Sequence, residues 1–225
     1  MPRDIVWLCY CNFIGTNREH DMDTNLVRAH YEECFFGANT VAQQSGWKNS
    51  QSQDVRLQVL ARSITGCQAM SVLDFGCGLG RLIDILREQE FNGHYLGLDL
   101  SSKIIGEASE KYKNDSKAIF KIGDSKDLVP ADMIVSSGLF NVKLDHSDHE
   151  WENYVKDSIL EMWHKCIVGI GFNLLSTMSD LEKRSSNLWY SNPSAMLEWC
   201  LENVSSKVRV DHSYGLWDYT ISILH

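Results

Sequence analysis

The chain has 225 residues, 44% hydrophobic and 23% charged, enough to bury one sizeable α/β core, and no linker or repeat divides it. Its net charge of −9 and pI near 5.3 argue against a long contact with a phosphate backbone, which needs a concentrated positive surface, so nucleic acid is not expected as a partner. Seven cysteines, an odd number without a Cys-x-x-Cys pair, argue against a disulfide framework and for a cytoplasmic location, and neither Cys9-x-Cys11 nor the scattered histidines have zinc-site spacing, so no metal is expected.

The stretch Ile5 to Cys11 is apolar but too short to span a bilayer and lacks a small-residue cleavage site, so no membrane association is expected. The polar run Thr16 to Asp23 separates it from Met22, where the functional domain is expected to begin, with residues 1–21 as an extension or accessory strand. Two helices around a polar loop are expected between Met22 and Ala69. The first carries Leu26, Ala29, Tyr31 and Phe35, the second Val55, Leu57, Val59, Leu60 and Ile64, and the loop Gly46 to Gln53 holds Trp47.

Val72 to Gly80 then reads as a buried strand running into a glycine-rich turn, where Gly76, Gly78 and Gly80 free the backbone to approach a nucleotide-like ligand. A dinucleotide fingerprint, Gly-x-Gly-x-x-Gly, would place its third glycine at position 81, which is Arg81. A helix over Arg81 to Glu90 buries Leu82, Ile83, Ile85 and Leu86, and Asn92-Gly93 ends it. The strand Tyr95 to Leu100 delivers Asp99 one βαβ unit beyond the turn, where an acid can accept ribose hydroxyls.

Ala118 to Gly123 alternates as a third strand and delivers Asp124-Ser125. Asp132 to Gly138 forms a fourth, with the exit peptide Gly138-Leu139-Phe140-Asn141. Asp127 to Ala131 is too short for a full helix, so a loop is expected there. Glu150 to Lys165 reads as an amphipathic helix and Cys166 to Leu175 as a buried parallel strand. A helix follows from Pro193 to about Asn203, capped by Ser191 or Asn192. Two last strands, Lys207 to Tyr214 and Trp217 to Leu224, join around Gly215.

Gly-x-Gly-x-Gly after an acidic residue, followed by Asp99 and Asp124, resembles the class I S-adenosylmethionine (SAM) methyltransferases over about Ser71 to Leu224. That resemblance implies an α/β three-layer Rossmann-like sandwich: a mostly parallel seven-stranded sheet with a C-terminal antiparallel hairpin, a helical cap over 22–69 and a core over 70–225. It implies SAM as cofactor, bound by Asp74, Gly76, Cys77, Gly78 and Gly80 at the turn, Asp99 and Leu100 at the ribose, and Asp124 and Ser125 at the adenine. Ser137 and Gly138 would lie beside the methyl donor, and Arg56 would face the cofactor carboxylate. Cys77 is expected to pack and not to react.

The acceptor is expected to be a small molecule, such as a metabolite, natural-product precursor or sugar-like compound, walled by Tyr31, Trp47, Phe140 and Asn173. Asn141, His212 and Tyr214 are the candidate catalytic groups, with His149 a further possible base. No Asp/Asn-Pro-Pro-Tyr tetrapeptide follows the fourth strand, which lowers nucleobase and protein-glutamine acceptors. Two alternatives are an inactive SAM-binding subunit and a nicotinamide oxidoreductase. The glycine spacing and the missing Tyr-x-x-x-Lys motif oppose the latter.

Overall fold

In β1 (Ser71–Phe75), Val72 enters one apolar cluster while Leu73 and Phe75 enter another, so the apolar run is a strand covered on both faces. The computed structural model describes residues 25–37, 44 and 49–225; residues 1–21 and Trp47 lie outside the described residues. The other strands are β2 (His94–Asp99), β3 (Ala118–Ile122), β4 (Ala131–Ser136), β5 (Cys166–Leu175), β6 (Val208–Asp211) and β7 (Asp218–Leu224). They form one seven-stranded sheet in the order β3-β2-β1-β4-β5-β7-β6. The first five run parallel, β7 is antiparallel to β5, and β6 is antiparallel to β7. Strand order reverses at β1, with β2 on one side and β4 on the other, and the crevice beyond the carboxyl ends of such strands is where α/β sheets take ligands.

Helices α1 (Asn25–Gly37) and α2 (Ser50–Gly66) precede the sheet; α3 (Arg81–Glu88), α4 (Ser102–Lys111), α5 (Asp148–Lys165) and α6 (Pro193–Asn203) alternate with its strands. Leu57, Ala61 and Ile64 of α2 join Leu82, Ile83, Ile85 and Leu86 of α3 over Val72, Met133 and Val135. On the opposite face Trp151, Val155, Ile159 and Met162 of α5 join Met196 and Cys200 of α6 over Leu73, Ile134, Ile170 and Phe172. Each fully buried aliphatic or aromatic side chain contributes about 1.5–3 kcal/mol, so these two stripes fix the three layers. Among the described residues no helix is long and apolar enough to cross a membrane.

Local chemistry sets the element ends. Asn192 caps α6, accepting from the backbone N–H of Ser194 and Ala195, with Pro193 in its first turn. α5 starts at Asp148, two residues before the expected Glu150, because Ser147 and Glu150 close a capping box. β6 ends at Asp211, short of the expected Tyr214. The Asp211 carboxylate accepts from the backbone N–H and hydroxyl of Ser213 and curls the chain out of the strand. The connection after β3 is one 3₁₀ turn, Ser125–Asp127, followed by loop.

Candidate active site

Gly76, Gly78 and Gly80 have φ of 78°, 53° and 77°, left-handed values that cost other residues roughly 1–2 kcal/mol each. The turn they make is tied to β2: the N–H groups of Gly76 and Cys77 both donate to the Leu98 carbonyl, at 2.8 and 2.9 Å. Asp99, at the end of β2, holds two loops at once. Its Oδ2 accepts from Gly78 N and its Oδ1 from Ser101 N, each at 3.0 Å. With a further backbone bond from Leu100, not all of the roughly four lone-pair directions on that carboxylate are used, which leaves acceptor capacity for a ligand.

Burial raises the Asp99 carboxyl pKa, against the backbone hydrogen bonds from Ser101 and Gly78. Burial also pushes the Asp74 carboxyl up to about 7, although Tyr95 donates to Asp74 Oδ2 at 2.6 Å. Neither carboxylate has a salt bridge among the described residues. The buried Cys77 thiol is held well above its usual range, so it stays protonated, and a Cβ at Gly97 would lie 2.7 Å from its sulfur.

A cavity of about 240 Å³ opens over the turn. Asp74, Gly76, Cys77, Gly78, Asp99, Leu100 and Asp124 line it at the exits of β1 to β3. Ser137, Gly138, Leu139, Asn141 and Val142 line it beyond β4. The cap supplies Val27, Arg28 and Tyr31 from α1 and Gln53, Arg56 and Leu57 from α2, and the far wall is Tyr154, Leu175 and Leu188. Leu188 arrives from the long β5–α6 connection, which docks on the chain after β4. Val142 and Leu188 pair as an antiparallel bridge, and Trp189 N donates to the Asn141 carbonyl at 2.8 Å.

Several expected site residues lie elsewhere. Phe140 is fully buried in the core, because the 3₁₀ turn Leu139–Asn141 rotates its ring against Phe172; its carbonyl accepts from Trp151 Nε1 at 2.7 Å. Gly80 sits beneath Tyr112 and Phe120, and Ser125 does not line the cavity. Asn173 is a buried brace off the cavity wall. His212 and Tyr214 also lie off the wall, past the end of an edge strand that β7 and β5 separate from β4. His212 is exposed with its ring edge-on to Tyr219, and the Tyr214 oxygen accepts from the Thr220 hydroxyl at 3.2 Å. His149 is exposed in the first turn of α5, next to Asn153.

Arg56 borders the cavity, but its charge is met by Asp218 of β7 through a bidentate pair at 2.7 and 2.6 Å, instead of being held for a ligand carboxylate. Asp124 is on the wall and accepts from Lys126 N at 2.8 Å. Arg28, Gln53, Tyr154 and Leu188 were not singled out from sequence. They reach the cavity by tertiary placement: Gln53, expected in the polar loop, stands in the first turn of α2, which begins at Ser50, and Tyr154 lies on α5 as its amphipathic pattern implies.

Three carboxylates, of which Asp74 is buried and Asp99 half-buried and neither is paired with a cation among the described residues, suit a ligand that brings hydroxyl donors and positive charge; a pyrophosphate would meet like charge there. SAM fits this donor set. When bound, it supplies a methyl group on a sulfonium that departs as a neutral thioether without an acid from the protein.

The glycine turn on β1, the acid ending β2 and the antiparallel β6–β7 pair together define the class I methyltransferase architecture. Residues 72–158 match the family model of the methyltransferase domain. The chain is 32% identical over 162 residues to a Mycobacterium tuberculosis protein that carries a provisional methyltransferase name, covering 72% of this chain and 97% of that protein. Its fold is similar to magnesium protoporphyrin IX methyltransferase from Synechocystis PCC 6803 with bound S-adenosylhomocysteine (SAH), with TM-score 0.66 and 13% identity over 90% of this chain and all of that one. It is also similar to the N-methyltransferase NodS from Bradyrhizobium japonicum WM9 bound to SAH, with TM-score 0.60 and 13% identity over 88% of this chain and 96% of that one. The chain belongs to the class I SAM-dependent methyltransferases and is an enzyme that uses SAM.

Proposed function

We propose that this methyltransferase transfers the methyl group to a small molecule. The observation that carries this is the enclosure of the cavity: it is roofed by Val27, Tyr31 and Leu57 of the cap and walled by Val142, Leu175 and Leu188, an apolar cleft and not an open face that a macromolecule could lie on. In this reading Asp99 accepts the ribose hydroxyls, Asp124 accepts from the adenine amino group, and Asp74 faces the positive end of the cofactor. The glycine turn lets the main chain approach, and residues after β4 and β5 align the acceptor. Alignment is the larger part of the work, since the leaving group is already good. The NAD alternative is disfavoured by the acidic lining as well as by Arg81.

Incubation with methyl-labelled SAM, in parallel with a pool of small molecules, an RNA preparation and a protein preparation, tests this. Label in the small-molecule arm is expected; label in RNA or protein alone refutes it.

A further inference from the structure

Two hydrogen-bond donors stand at the exits of β4 and β5, and the main chain fixes the polarity of each. Leu175 N donates to the Asn141 side chain at 3.3 Å; a backbone N–H can only donate, so the atom it meets is Oδ1. Asn141 Nδ2 therefore remains, with no protein partner among the described residues, on a side chain that lines the cavity. By the same logic Gly138 N donates to Asn173 Oδ1 at 3.1 Å, which turns Asn173 Nδ2 toward Ser137 Oγ at 2.9 Å. The Ser137 oxygen accepts that bond, and its proton is left to donate into the cavity it lines.

No histidine or lysine lines the cavity among the described residues. The phenols that do, Tyr31 and Tyr154, are half-buried and stay protonated; desolvation pushes Tyr154 up to about 12. The carboxylates Asp74, Asp99 and Asp124 line the cavity from β1 and the exits of β2 and β3, not from the segments after β4 and β5. The acceptor end thus offers neutral donors amid Leu139, Val142, Leu175 and Leu188, and no base.

We infer that the acceptor is a carboxylate on an apolar body, held by Ser137 Oγ and Asn141 Nδ2 and converted to its methyl ester. This rests on the small-molecule reading above. One carboxylate oxygen forms the new O–CH₃ bond as the C–S bond of SAM breaks, and the sulfur keeps the electron pair as SAH. A negative acid and a positive sulfonium become a neutral ester and a neutral thioether, so no proton has to leave. An alcohol or an ammonium group would need a base that this end of the cavity lacks.

The test uses methyl-tritiated SAM with a defined pool of carboxylic acids, phenols, alcohols and amines carrying aliphatic chains or aromatic rings, in parallel with RNA and protein preparations, followed by mild base. Methyl esters release volatile tritiated methanol, whereas ethers and N-methyl products keep the label. Base-labile label is expected. Base-stable label on a small molecule overturns this inference and leaves the small-molecule reading standing; label on macromolecules alone, or on nothing while SAM binds, overturns both. Asn141→Asp keeps the oxygen that Leu175 N requires while replacing the donor with an acceptor. It and Ser137→Ala should each raise the KM for the acid by about tenfold or more. Affinity for SAH, whose sulfur is neutral and does not respond to the new charge, should stay within about twofold by calorimetry; a matching loss of SAH affinity would assign the pair to the cofactor and overturn the inference.

Discussion

Replacing Asp99 by asparagine changes one oxygen for an amide nitrogen at a carboxylate that accepts from Gly78 N and Ser101 N at 3.0 Å each. The remaining oxygen can keep one of these bonds, while the new NH₂ group faces the other donor. Burial already raises the Asp99 pKa, so removing the charge offsets part of the loss in the free protein, and only a modest fall in melting temperature is expected. Ribose hydroxyls lose a charged acceptor. Hydrogen bonds to charged groups are worth about 1.5–3 kcal/mol, which at about 1.4 kcal/mol per decade weakens SAM by about tenfold to 150-fold. Asp99→Ala is the poorer probe, since it unties Gly78 and Ser101 together. Calorimetry with SAH and its 2′-deoxy analogue on wild type and Asp99→Asn isolates the term: wild type should lose affinity when the hydroxyl is removed, and the variant little more than it has lost already. Wild-type affinity in the variant, or an equal further loss for the deoxy analogue in both proteins, would refute the ribose role.

Gly80→Ala adds a Cβ at 2.6 Å from Tyr112 Cε2 at φ of 77°, so about 2–4 kcal/mol of destabilisation is expected in urea unfolding. Gly106→Ala in α4 meets nothing within 4 Å and should stabilise by about 0.5–1 kcal/mol; equal effects would mean the turn is not held as described. Asp74 has a folded pKa of about 7 against 3.8, so the stability it contributes is full below about 3.8 and is lost as pH rises through 7. SAM, carrying positive charge, should bind more tightly as pH rises across the same interval, and Asp74→Asn should flatten that dependence; a flat profile in the wild type opposes Asp74 facing the cofactor cation. His212→Ala should leave single-turnover rate and SAM affinity unchanged, since His212 is exposed and off the cavity wall; a loss of rate by a factor of about 100 or more at unchanged melting temperature would return it to the site.

What is local in the chain was legible in the sequence. The strand–turn–helix from Val72, the acid ending β2, the apolar β5 and the Asn192–Pro193 helix start each follow from neighbours within a few residues. What depends on distant partners was not. Arg56 meets Asp218 across 162 residues of sequence, and no pattern in either segment announces the pair. Phe140 looked like a wall residue because it follows Gly138, yet one 3₁₀ turn suffices to send its ring into the core. His212 and Tyr214 were expected on a strand running to Tyr214, but the turn at Asp211 ends it before either residue. Leu188 sits in a polar connection with no periodic signal, and only its bridge to Val142 brings it to the cavity.

A crystal structure of the SAH complex tests the central claim most directly. SAH is expected in the cavity over Gly76 to Gly80, with Asp99 accepting from the ribose hydroxyls and the thioether sulfur facing the Ser137–Asn141 segment. SAH bound outside that cavity, or within it with Asp99 contacting no hydroxyl, would contradict it.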